Sequence, residues 1–96
     1  MSRDNDKTLK QAMDQMLKVY RLKNKFDETH AVESWEEVVG KAVANRTKEI
    51  FIREKKLFVR IESSVVKNEL TIMRKQIIHN LNEKAGSEVV SEIIFL

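Results

Sequence analysis

The sequence predicts an α+β domain with element order α-α-β-β-α-β, a three-stranded sheet with helices packed on one face. Two observations carry this. The apolar residues recur at three- and four-residue steps up to about residue 45, alternate from Thr47 to Glu62, and return to helical spacing from Val65. The tail from Glu88 to Leu96 is rich in β-branched residues and supplies a last strand. Helices that bury one stripe and strands that bury one face need each other as layers.

Each element follows from its own pattern. From about Asp6 to Arg21, Leu9, Met13, Met16, Leu17 and Tyr20 form one stripe, with Asn5 or Asp6 able to cap the start. A second helix runs through Phe26, Ala31, Val32, Trp35, Val38 and Val39 into Gly40, the residue type that ends helices at positive φ. A short turn of helix, Lys41 to Asn45, follows. In Thr47 to Arg53 the period is two, and Leu57, Val59 and Ile61 alternate with Phe58, Arg60 and Glu62. A turn at Glu54-Lys55 sets Ile52 opposite Leu57, Ile50 opposite Val59, Phe51 opposite Phe58 and Glu49 opposite Arg60. Apolar then meets apolar and charge meets countercharge, although Glu-Lys suits the positive φ angles of a tight turn poorly. Ser63-Ser64 can cap a long helix over about Val65 to Ala85, whose stripe is Val66, Leu70, Met73, Ile77 and Leu81, and Gly86 ends it.

Composition narrows the function. The 96 residues make one domain, read as a flexible N-terminus over 1–8 and a single α+β domain over 9–96. Without cysteine there is no disulfide, thiolate nucleophile or Cys-ligated metal, and a cytoplasmic setting is expected. The longest apolar run, Ile93 to Leu96, falls far short of the ~18 residues of a membrane span, and the polar, acidic start does not read as a signal peptide.

Catalysis is poorly supplied. His30 and His79 are the only imidazoles; His30 beside Glu33 is too few ligands for zinc, and Ser63-Ser64 is explained by capping. No glycine-rich phosphate loop is present, because Gly40 and Gly86 stand alone. The expectation is a protein that is not an enzyme, with no cofactor, no metal and no small-molecule substrate.

Binding surfaces are better represented. The formal charge is +3, distributed as a basic first segment (six cations and three acids over 1–24), an acidic second (two and five over 25–45), a basic hairpin (six and three over 46–62) and a balanced remainder. In the hairpin register, the face away from Ile50, Ile52, Leu57, Val59 and Ile61 presents Phe51, Arg53, Phe58 and Arg60 together. Aromatics among guanidiniums stack bases and neutralise phosphates; alternatively, Phe51 and Phe58 are a cross-strand pair covered by a partner protein. Lys67, Thr71, Arg74, Lys75 and Asn82 share one flank of the long helix, a second strip for a phosphate backbone. Trp35 is read as core.

The run Trp35-Glu36-Glu37-Val38-Val39-Gly40-Lys41-Ala42-Val43-Ala44-Asn45-Arg46-Thr47 and the later Leu57-Phe58-Val59-Arg60-Ile61-Glu62-Ser63-Ser64 have a recognisable look. With Asn68-Glu69-Leu70, Leu81-Asn82 and Ile93-Ile94-Phe95, they resemble the DciA-like family from about Leu9 to Phe95. The resemblance implies a cytoplasmic bacterial protein with a type II KH-like domain that assists loading of the replicative DnaB-type helicase and binds DNA, single strands included. The GxxG loop with which KH domains clamp four nucleotides is missing here, so that mode is not carried over. The expected function is a non-enzymatic accessory protein of replication initiation that contacts the replicative DNA helicase and weakly binds single-stranded DNA. Arg53, Phe58, Arg60, Lys67, Arg74 and Lys75 are the candidate nucleic-acid residues, and Phe51 and Phe58 the candidate partner interface. The alternatives are an interaction or dimerisation module without nucleic acid and, ranked lower, a KH-like RNA-binding protein.

Overall fold

In the computed structural model, which describes residues 2–96 and the side chains from Thr8 onward, the predicted layers are present. The elements are α1 (Ser2–Glu33), α2 (Trp35–Val39), α3 (Lys41–Asn45), β1 (Thr47–Arg53), β2 (Lys56–Ile61), α4 (Ser64–Ile72), α5 (Arg74–Ala85) and β3 (Glu92–Phe95). The sheet order is β1-β2-β3, with β1 antiparallel and β3 parallel to the central β2. Two helices between β2 and β3 make the crossover that a parallel pair requires. The order α-α-α-β-β-α-α-β gives an α+β domain with a three-stranded mixed sheet.

The hairpin register is the predicted one, extended by a pair at each end. Ile52 faces Leu57, Ile50 faces Val59, Phe51 faces Phe58 and Glu49 faces Arg60, with Arg53 opposite Lys56 and Thr47 opposite Ile61. A bulge between Thr47 and Glu49 absorbs the extra residue at the open end. The turn is indeed two residues long, and Glu54 (φ 51°) and Lys55 (φ 62°) both take the left-handed conformation despite their side chains. The self-consistent strand pairing therefore outweighs unfavourable turn chemistry.

All the packed helices lie on one face of the sheet. Leu57, Val59 and Ile61 of β2 are buried with Ala31, Trp35, Leu70, Ile77, Leu81 and Ala85 from the helices and Val89 and Val90 from the last loop. Ile50, Ile52, Ile93 and Phe95 line the same face and pack against this cluster. Trp35 is core as expected, and its indole Nε1 donates to Thr47 Oγ1 (3.0 Å), which in turn donates to the Val43 carbonyl (2.9 Å). That chain of bonds ties α2 and α3 to the start of β1 and satisfies the indole as it is buried.

Several boundaries differ from the sequence reading, each for a local reason. The first and second predicted helices are one: α1 runs 32 residues without interruption, opening at Ser2 rather than at Asn5 or Asp6. No glycine or proline lies between Arg21 and Phe26 to stop it. The break comes at Ser34, whose hydroxyl donates to the Ala31 carbonyl (2.8 Å), a local bond that competes with helix continuation. Gly40 has positive φ as expected, but with ψ 161° it is extended rather than left-handed helical, and α3 resumes directly after it. That region is open essentially to glycine alone. The long helix predicted over Val65 to Ala85 is divided at Met73 (φ −93°, ψ 6°) into α4 and α5. Met73, expected in the core stripe, is 54% exposed. The expected Ser63 cap accepts from the Val66 N–H (3.3 Å), and Gly86 ends α5 in the left-handed conformation.

The last strand is shorter than predicted. Val89 and Val90 are buried in the loop before it, held by Asn82. The Asn82 amide oxygen accepts from the backbone N–H groups of Val89 (3.1 Å) and Val90 (2.9 Å), and its NH2 donates to the Val90 carbonyl (2.8 Å). The strand begins only after this clasp. Asn82 is thus a structural residue, not part of the phosphate-facing strip proposed from the sequence.

Candidate functional site

Among the described residues, the helices pack on one face of the sheet and leave the other to its own side chains. Glu49, Phe51 and Arg53 of β1, Lys56, Phe58 and Arg60 of β2, and Glu92 and Ile94 of β3 alternate away from the core cluster. Phe51 and Phe58 stack, with ring centroids 5.0 Å apart and planes 13° from parallel. Register explains the pair, since directly opposed residues of an antiparallel ladder bring their Cβ atoms close enough for rings to meet. Both rings are half-buried, and neither belongs to the core cluster. Part of each ring remains open to solvent.

The charges around the rings are unevenly committed. Arg60 Nε lies 3.2 Å from Glu49 Oε2, an exposed cross-strand ion pair that neutralises part of the charge assigned to this residue. Such a pair contributes little to stability, about 0–1 kcal/mol, yet it orients the guanidinium beside Phe58. At the hairpin end Arg53 and Lys56 are opposed and both exposed. Lys56 also stands opposite Glu92 of β3, so this end, like the Arg60 end, mixes cations with a carboxylate across the ladder. Lys56 was not among the sequence-predicted residues. Continuing the register by one step past Ile52 and Leu57 would have found it.

The helical strip is set apart from this face. Arg74 and Lys75 are exposed in the first turn of α5, within the helical layer that covers the other side of the sheet. Lys67 on α4 is the exception, because its Nζ lies 3.5 Å from the Leu96 carbonyl oxygen, and the Leu96 N–H donates to Val59 on β2. It therefore reaches the end of the sheet next to Arg60. Of the six candidate nucleic-acid residues, Arg53, Phe58 and Arg60 share a face, Lys67 flanks it, and Arg74 and Lys75 stand elsewhere.

A second polar cluster joins α1 to the loop after α5. Asp27, only 6% exposed, accepts from Lys23 Nζ (2.8 Å) and from Ser87 Oγ (2.7 Å). The Lys23 hydrogen bond, then that of Ser87, holds the carboxyl below its ordinary value, against the opposing effect of burial. The carboxylate is committed to these donors, which marks a structural clamp. Among the described residues no group of three or more His, Asp or Glu side chains is placed to hold a metal ion, and no helix is long and apolar enough to cross a membrane.

Residues 8–95 match the family described as Dna[CI] antecedent, DciA. The chain belongs to the DciA family. This family is associated with helicase loading in the initiation of replication and is one of accessory domains rather than enzymes. The match covers the whole stretch, about Leu9 to Phe95, over which the motifs resemble the family, and it includes the hairpin and its Phe51–Phe58 pair. No curated protein gives a significant match to the chain.

Proposed function

We propose that this DciA-family chain is a non-enzymatic, cytoplasmic accessory protein of replication initiation that contacts the replicative helicase and weakly binds single-stranded DNA on the open face of its sheet. The observation that carries the DNA reading is the stacked Phe51–Phe58 pair, outside the core and bordered by Arg53, Lys56 and Arg60. Exposed rings stack bases without regard to sequence, and the bordering cations neutralise phosphates. Lys67 extends the basic border; Arg74 and Lys75 serve, in this reading, as a separate phosphate contact. The modest net charge of +3 fits weak rather than tight binding.

The test is fluorescence anisotropy of a labelled single-stranded oligonucleotide at several salt concentrations. Binding is expected to weaken steeply with salt, and Arg53→Glu with Lys56→Glu to weaken it by about tenfold or more. Phe58→Ser is expected to weaken it without changing the salt slope, because stacking releases no counterions. Salt-insensitive binding, or full affinity in the charge-reversed variant, would remove the DNA surface. Co-purification with the replicative helicase tests the other half, and retention of the chain by immobilised helicase is the expected result. Competition by RNA of the same sequence separates the KH-like RNA reading.

A second reading has its own observation. Phe51, Phe58 and Ile94 are all half-buried on the open face, and Glu49 already neutralises Arg60, a mixture that suits a protein partner. In that case Phe51→Ser with Phe58→Ser abolishes helicase retention, and no oligonucleotide binds.

A further inference from the structure

The projecting part of α1 is amphipathic, and among the described residues none covers its apolar side. Every residue from Thr8 to Lys23 is exposed, including Leu9 (62%), Met13 (61%), Met16 (71%) and Tyr20 (67%). A single helix surrounded by water is marginal, and helices in proteins are held chiefly by burial of one face. These four residues stand at successive steps of four, three and four, the spacing of a helix-pairing seam. Asp27 and Ala31 continue the same face and are buried in the domain. The seam therefore runs straight out of the core into solvent.

Its arrangement specifies what covers it. Steps of four, three and four read the same in both directions, so a two-fold axis between Asp14 and Gln15 sets Leu9 of one copy opposite Tyr20 of the other and Met13 opposite Met16. A surface that maps onto itself is what a two-fold interface requires. The charges obey the same axis. Lys10 comes level with Val19, Lys18 with Gln11 and Arg21 with Thr8. No cation meets a cation. Parallel pairing would instead set each of these cations against its own copy, which is destabilising. We infer that the projecting half of α1 pairs antiparallel with the same helix of a second copy of this chain. Overlap of positions 4 to 25 spans about 33 Å at 1.5 Å per residue, which leaves the two domains at opposite ends of the helix pair.

This inference is independent of the nucleic-acid reading, and solution mass tests it. Sedimentation equilibrium is expected to show the 11.3 kDa chain moving to twice that mass with rising concentration. Met16→Glu keeps helix propensity but places a charge in the seam, and is expected to weaken association by about tenfold or more. Unchanged emission from the buried Trp35 shows that the domain still folds. Because the chain has no cysteine, introduced thiols report direction. With dissolved oxygen as the two-electron oxidant, a mixture of the Leu9→Cys and Tyr20→Cys proteins is expected to form the mixed disulfide, and Leu9→Cys alone to stay reduced. A monomer at every concentration overturns the inference, even if the helix is then found on another protein. So does a dimer indifferent to Met16→Glu, or a Leu9→Cys disulfide formed between like copies.

Discussion

The two ends of α1 share one helical periodicity and have opposite circumstances. From Asp27 onward the helix is anchored, with Asp27 clamped by Lys23 and Ser87 and Ala31 buried in the core. Before that point it carries at least as many apolar residues, yet all are exposed, and the molecule measures 65 × 21 × 20 Å as a result. Amphipathic periodicity says which face of a helix wants covering. It does not say what covers it, and one chain can use the same face inward at one end and outward at the other.

Substitutions should separate the two regions sharply. The largest effect is expected in the core, where Leu81→Ala, removing a side chain that is 1% exposed, should cost about 2–5 kcal/mol in denaturant unfolding. Leu9→Ala, measured at a concentration where the chain is monomeric, should change stability by no more than about 0.5 kcal/mol. Equal losses at the two sites would mean that the projecting helix packs on the domain in solution.

Next in size is the Asn82 clasp. Asn82→Ala leaves the N–H groups of the buried Val89 and Val90 without their acceptor, at a cost of about 1–3 kcal/mol. Amide exchange in β3 should accelerate while that of β1 is little altered.

The Asp27 clamp makes a smaller, pH-dependent contribution. Its carboxyl is held below the ordinary value of 3.8 in the folded chain. The stabilisation is therefore fully present above that ordinary value and disappears as pH falls through the lower folded one. Asp27→Asn should flatten the acid limb of the stability profile, and an unchanged limb would show that other carboxylates set it. The smallest effects belong to the projecting helix itself. Its amides between Thr8 and Leu22 should exchange much faster than those of α5 in dilute solution, and gain protection as concentration rises if the helices pair.

Much of this comparison was visible in the residues, and the missing part has a physical cause. The hairpin register was legible because opposed pairs test one another: a one-residue slip would have put Phe51 and Phe58 among the core aliphatics. Ser63, Gly86 and the core place of Trp35 were legible because caps and large aromatics act through near neighbours. The single long α1 was not, because a change of partner along a helix leaves no mark when helical spacing continues across it. Asn82 was misread as surface because a side chain that binds backbone eight residues ahead has no periodic signature. The open sheet face was legible, with Lys56 missed at its edge; how the separate Lys67, Arg74 and Lys75 strip sits relative to that face was not, since sequence spacing does not say which layer a helix occupies.

The turn at Glu54-Lys55 bears on the order in which the domain assembles. Two consecutive non-glycine residues in the left-handed region disfavour the connection by roughly 1–2 kcal/mol each, so this hairpin has no local nucleus at its tip. It must zip from its middle, driven by contacts between Ile50, Ile52, Leu57 and Val59 that also depend on the helices beneath them. Turn substitutions should then alter the unfolding rate more than the folding rate. An Asn-Gly tip would relieve that backbone cost and is expected chiefly to slow unfolding.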